Sequence, residues 1–237
     1  DNDPFYIGTP AHITGGEWFA EIWQRFGYVS NVHLRRVHYR IVSQEQPVIM
    51  PNGNPYENTE KCWSYLTGVS KFARYLHLVE PECFDDKRNG KPQIFFVQNE
   101  ETHPSVSITY DVNEQFEIPD MPELPGYEIY GFNYEQRYHI EIWCEKSTMD
   151  DIFLPLCERH KVNLVTSLGE ISITACKWLV DRVSKIGKPC RIFYISDFDP
   201  AGQSMPVATA RKIEKFLHDL GSEHDVKLMP LVLSHEQ

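Results

Sequence analysis

The 237-residue chain has no apolar run near the roughly 20 residues that a membrane-spanning helix needs. Its first ten residues, DNDPFYIGTP, are neither basic nor apolar, so they do not read as a secretory signal. Together these absences lead us to expect an intracellular protein with no membrane partner. There is no CxxC pair: the six cysteines, at 62, 83, 144, 157, 176 and 190, mostly sit inside apolar periodic segments. They read as reduced core thiols, not as a disulfide frame or a zinc site. Ten histidines are scattered without metal-ligand spacing. No GxxxxGK[ST] loop occurs, which excludes ATP hydrolysis on a P-loop. An initiator methionine is also missing and the end is abrupt, so the sequence reads as a piece of a longer protein.

Positive charge is scarce. Lys and Arg number 23 against 34 Asp and Glu, a net charge of −11, which at first argues against a nucleic-acid partner. The excess is local, however. Residues 100–128 carry eight acids and no Lys or Arg; without them the charge is −3. The same stretch holds IPDMPELPG, rich in proline, and reads as a linker or surface excursion. Three segments follow: residues 1–99, an acidic connection over 100–130, and residues 131–237.

What is present before the connection is helical. Trp18, Phe19, Ile22, Trp23 and Phe26 share one helical face, and Gly27 closes that helix. Ser30 or Asn31 is positioned to cap a second helix, VHLRRVHYRIVS, with Leu34, Val37, Ile41 and Val42 inward and His38 partly exposed. A third helix follows NPYENTE, burying Trp63, Leu66, Val69, Phe72, Ala73 and Leu76. IFFVQ then reads as a strand. Three helices followed by a hairpin suggest an α+β winged-helix module. After the connection, HIEIWC, NLVTS, CRIFYIS and VKLMPLVL alternate with helical stretches, which predicts an α/β, Rossmann-like domain on a parallel sheet.

Two strands of that sheet end on acids. HIEIWC runs into Glu145 and Lys146, and CRIFYIS into Asp197 and Asp199. In a parallel sheet both ends open on the same edge. Three anions in one crevice repel unless a cation joins them, and hard oxygen donors suit Mg²⁺, with Mn²⁺ as a substitute. The plainer alternative is that Asp197 caps the next helix and Asp199 merely precedes a turn.

In order along the chain, EK, SLGEIS and DFDPAG resemble the Toprim domain of topoisomerases, primases and some nucleases. The arrangement is most similar to the topoisomerase VI A subunit and the related meiotic transesterases, over roughly residues 138–237. The resemblance implies an acidic metal site of Glu145, Asp197 and Asp199, with Lys146 beside it to meet a phosphate. It also implies an upstream winged-helix domain bearing a nucleophilic tyrosine in an Arg-x-hydrophobic-aromatic-Tyr motif. Here that motif is RRVHY, with Tyr39 as nucleophile and Arg35 four residues before it; His38 departs from the usual aromatic. Arg36 and Arg40 add DNA-binding charge around the same helix. A free phenol has a pKa near 10 and needs a base or nearby cations to attack a phosphodiester. Arg35, Mg²⁺ and Glu145 as proton-transfer group would meet that need. The implied protein is a homodimer acting on double-stranded DNA, with a separate ATPase partner subunit. The alternatives are a Toprim nuclease that uses no tyrosine, and a non-catalytic DNA-binding or assembly protein of the same fold. Tyr39 also reads as a half-buried packing residue of an ordinary helix-turn-helix.

Overall fold

The computed structural model describes residues 3–86, 89–96, 105–107, 128–130 and 136–231. Residues 1–96 and 138–237 form one compact unit, and residues 97–137 a second.

Helix α1, Pro10–Arg25, is started by Thr9, whose hydroxyl accepts from the His12 amide, and by Pro10 at its first position. Its apolar stripe, Trp18, Phe19, Ile22 and Trp23, is buried together with Phe26, as the 3.6-residue period predicts. Burial is worth about 1.5–3 kcal/mol for each such side chain, which outweighs weak local preferences. Gly27 takes φ +67° and turns the chain away. Helix α2, Leu34–Val42, begins later than expected. Asn31 sits in the left-handed region at φ 56°, so neither it nor Ser30 caps the helix; instead His33 Nδ1 accepts from the Arg35 amide. Helix α3, Glu60–Tyr75, is capped by Thr59 and buries Leu66, Val69 and Ala73 against α1.

The hairpin expected after α3 is absent among the described residues. Of the predicted strand IFFVQ, Val97 and Gln98 lie outside them, and residues 94–96 form no strand. Its neighbour Gln93 instead exchanges two backbone hydrogen bonds with Leu164, and the Phe95 and Phe96 amides donate to Asn163 Oδ1. The segment spends its backbone donors on covering a sheet edge rather than on a wing. The acidic stretch 100–130 lies mostly outside the described residues. Within it β1, Ser105–Ser107, pairs antiparallel with β2, Glu128–Tyr130.

The rest of the chain alternates as predicted: β3 His139–Cys144, α4 Asp150–His160, β4 Asn163–Thr166, α5 Ile173–Ile186, β5 Cys190–Ile195, α6 Pro200–Asp219 and β6 Val226–Pro230. The four strands β3–β6 form a parallel sheet in the order β4-β3-β5-β6. This part of the chain is thus α/β, with a parallel sheet compatible with a Rossmann-like domain. A core of Trp143, Val165, Ile192 and Tyr194 packs against Leu179 and Val183 of α5 and Phe216 of α6. All six cysteines are free and buried. Among the described residues no helix is long and apolar enough to cross a membrane.

Candidate metal centre

The sheet order places its topological switch between β3 and β5. From β3 the chain crosses to β4 on one side, then returns to β5 on the other. In open α/β sheets ligands bind in the crevice outside the carboxyl ends of such strands. The two strands end in register, Cys144 opposite Ile195, and the Glu145 amide continues the ladder to the Ile195 carbonyl at 3.2 Å. Glu145 and Asp197 therefore leave the sheet side by side.

Their contact is direct. Glu145 Oε1 accepts from the Asp197 backbone amide at 2.9 Å. Glu145 is buried, and its second oxygen, Oε2, is enclosed without a hydrogen-bond partner. Tyr194, one residue before the end of β5, is fully buried. Its phenol is pushed far above the usual range, first by burial and then by the negative charge of Glu145. Above the pair, the half-exposed Lys146 ammonium sits 2.7 Å from Asp197 Oδ2, and that bond holds it above the ordinary lysine pKa.

Asp199 turns elsewhere. It is the N-cap of α6, its Oδ1 accepting from the Gly202 amide at 2.6 Å. The capping role expected for Asp197 thus belongs to Asp199. Gly202 is needed for this turn, because a Cβ there would lie 2.1 Å from the Asp197 carbonyl oxygen. The SLGEIS loop closes the third side. Ser167 and Gly169 amides donate to the Cys144 and Glu145 carbonyls, and Ser172 caps α5 while its amide donates to Asn89 Oδ1.

The three predicted acids are therefore brought together only in part. The Glu145 carboxylate meets the Asp197 backbone amide while the Asp197 carboxylate pairs with Lys146, and Asp199 is committed to a helix cap by one oxygen. Among the described residues no group of three or more His, Cys, Asp or Glu is gathered closely enough to hold a metal alone. Mg²⁺ can bind through only one or two carboxylates and complete its shell with water and phosphate oxygens, so Glu145 and Asp197 remain candidate ligands. The enclosed, unpartnered Glu145 Oε2 is the atom such a cation would satisfy.

Sequence reasoning missed a second carboxylate on the same strand face. Glu141 is fully buried and accepts from His139 Nε2 (2.7 Å), Trp143 Nε1 (2.8 Å) and, through both oxygens, Arg182 (2.8 Å each). Burial pushes its pKa up, but the hydrogen bonds from His139 and Arg182 and the Arg182 charge prevail, bringing it to about 2. The signal was present: strand alternation sets Glu141 between His139 and Trp143 on the inward face.

The tyrosine and arginines of α2 sit differently from one another. Tyr39 is 58% exposed, with its ring against that of His38 at 5.3 Å. His38, expected to be partly exposed, is buried; Tyr56 Oη (2.7 Å) and Asn58 Oδ1 (3.1 Å) satisfy its two ring nitrogens. Arg40 lies over the Phe26 and Tyr28 rings and donates to the Phe26 carbonyl at 2.9 Å, so it locks α2 to the end of α1. Arg36 also faces the Tyr28 ring. Arg35 stands over Trp63 and lines a cleft of about 720 Å³ with Lys71, Arg74, Glu170 and Lys212. That cleft contains neither Tyr39 nor the three acids.

No family model, curated protein or solved structure matches the chain.

Proposed function

We propose that the chain cleaves double-stranded DNA by metal-dependent tyrosine transesterification, in the manner of the topoisomerase VI A subunit. On this reading the C-terminal half is a Toprim domain and the N-terminal helices are a helix-turn-helix module, with no wing among the described residues. The observation that carries the reading is the Glu145–Asp197 contact at the switch point, with one glutamate oxygen left unfilled. A bound Mg²⁺ or Mn²⁺ would supply the positive charge that stabilises a phosphodiester in its transition state.

The chain's own residues supply the rest. Glu145 and Asp197 hold the cation, and Asp199 fixes the turn that presents Asp197. Tyr39 is exposed and can meet a backbone phosphate, with Arg35 on the same helix as a cation. Attack by Tyr39 Oη forms one P–O bond and breaks the bond from phosphorus to O3′. The phenol's proton is passed on by way of Glu145 to the departing 3′-oxygen, which leaves as a hydroxyl, so no net proton is gained or lost. The product is a phosphotyrosine at a DNA 5′ end. Each phosphodiester broken is replaced by one formed, so the step can reverse. In the resembled family the tyrosine of one protomer meets the metal of another, which implies a homodimer, and a separate ATPase subunit would gate it.

A second reading, hydrolysis by a Toprim nuclease without a covalent tyrosine, is favoured by one observation: the cleft that Arg35 lines does not include Tyr39. Supercoiled plasmid incubated with Mg²⁺ or Mn²⁺ and stopped with detergent separates the two. The proposal expects ends that appear only after proteolysis and vanish in Tyr39→Phe. Protein-free ends that persist in Tyr39→Phe would establish the second reading. DNA binding at low salt with no cleavage under any metal would leave a non-catalytic DNA-binding protein.

A further inference from the structure

We infer that Lys146 is the resident counter-ion of the Glu145–Asp197 centre. Its ammonium takes a cation's place on Asp197 until a divalent ion displaces it and frees it for a phosphate oxygen. The inference rests on the metal-centre reading above.

The geometry separates what is fixed from what can move. The Lys146 backbone is pinned: it bridges to Leu168, its carbonyl accepts from the Met149 amide, and the Gly169 amide holds the Glu145 carbonyl beside it. The side chain is not pinned. Lys146 and Asp197 are 51% and 50% exposed, and a four-carbon stem carries the charge. Exposed pairs of this kind are weak and readily exchanged. Beside them, Glu145 gives Oε1 to the Asp197 amide and its enclosed Oε2 has no hydrogen-bond partner, while the ammonium engages Asp197. One monovalent charge thus serves a site with two carboxylates. A divalent ion held by both acids would stand against the ammonium, and like charges at such a separation repel. The two cations compete for Asp197. The lysine that leaves is then at the mouth of the same crevice, where a phosphate backbone would approach the metal.

The test is a Mn²⁺ titration of the full chain, following free Mn²⁺ by its electron paramagnetic resonance signal. Relieving the competition in Lys146→Met is expected to tighten Mn²⁺ binding about five- to tenfold, a size set by charge repulsion across a few ångströms of water-accessible space. Lys146→Arg keeps the charge and should stay within about twofold of wild type, while Asp197→Asn should weaken binding roughly tenfold. At saturating Mn²⁺, a short DNA duplex should bind Lys146→Met less tightly than wild type. Wild-type binding with Lys146→Met no tighter would overturn the counter-ion role and leave the metal centre standing. Duplex affinity unchanged in Lys146→Met would overturn the phosphate role. No Mn²⁺ binding by any of the proteins would overturn this inference and the metal centre together.

Discussion

Glu141 and Glu145 lie four residues apart along one strand face, and the fold treats them in opposite ways. Glu141 is sealed from solvent with donors from His139, Trp143 and Arg182 on its two oxygens. Glu145, at the strand's carboxyl end, has one backbone amide on one oxygen and nothing on the other. A buried carboxylate normally persists only when it is paired and hydrogen-bonded. Glu141 meets that condition within the chain and so reads as structural. Glu145 does not meet it, and the unmet valence sits at the switch point where α/β sheets bind ligands. The difference between the two is the difference between a carboxylate satisfied within the chain and one with an enclosed oxygen left unpartnered, which is the oxygen the proposed cation would fill.

The largest expected effect falls on the satisfied member. Arg182→Met leaves Glu141 buried without its main counter-charge and should lower unfolding free energy by about 3–5 kcal/mol, measured by urea denaturation. The same pair sets an acid dependence. Glu141's folded pKa of about 2 lies below that of an ordinary glutamate, near 4.3. Its stabilisation is therefore complete above about pH 4.3 and lost as pH falls towards 2. Wild type should lose more stability across that window than Arg182→Met; equal slopes would show that Glu141 is not the coupled group.

Smaller effects belong to the edge. Gly202→Ala forces a methyl into the Asp197 carbonyl, so the turn must shift. It should cost about 1–3 kcal/mol and weaken Mn²⁺ binding, because Asp197 moves with the turn. Glu145→Gln should stay within about 1 kcal/mol of wild type in stability. Loss of Mn²⁺ binding in that variant, with the fold intact, would sharpen the contrast with Glu141; a large stability loss would break it.

Much of this was legible in the sequence. Strand and helix alternation from His139 onward, the face of α1 and the two acid-bearing strand ends all follow from periodicity, which burial enforces directly. Less legible were features fixed by tertiary partners. IFFVQ has the composition of a strand, but the neighbouring backbone caps β4 instead of pairing into a hairpin. His38 reads as a surface residue until Tyr56 and Asn58, some twenty positions on, supply its partners. The division of labour in DFDP, with Asp199 as cap and Asp197 towards Glu145, depends on how closely Gly202 approaches the Asp197 carbonyl. Spacing alone does not encode it. Arg40 likewise reads as DNA-facing charge, yet it stacks on Phe26 and Tyr28.

The most direct test is a crystal grown with Mn²⁺ and read by anomalous scattering at the manganese edge. The account predicts a peak within about 2.0–2.3 Å of both a Glu145 and an Asp197 oxygen, with the Lys146 ammonium withdrawn from Asp197. No peak at that edge of the sheet, with Lys146 still on Asp197 at high Mn²⁺, would contradict it.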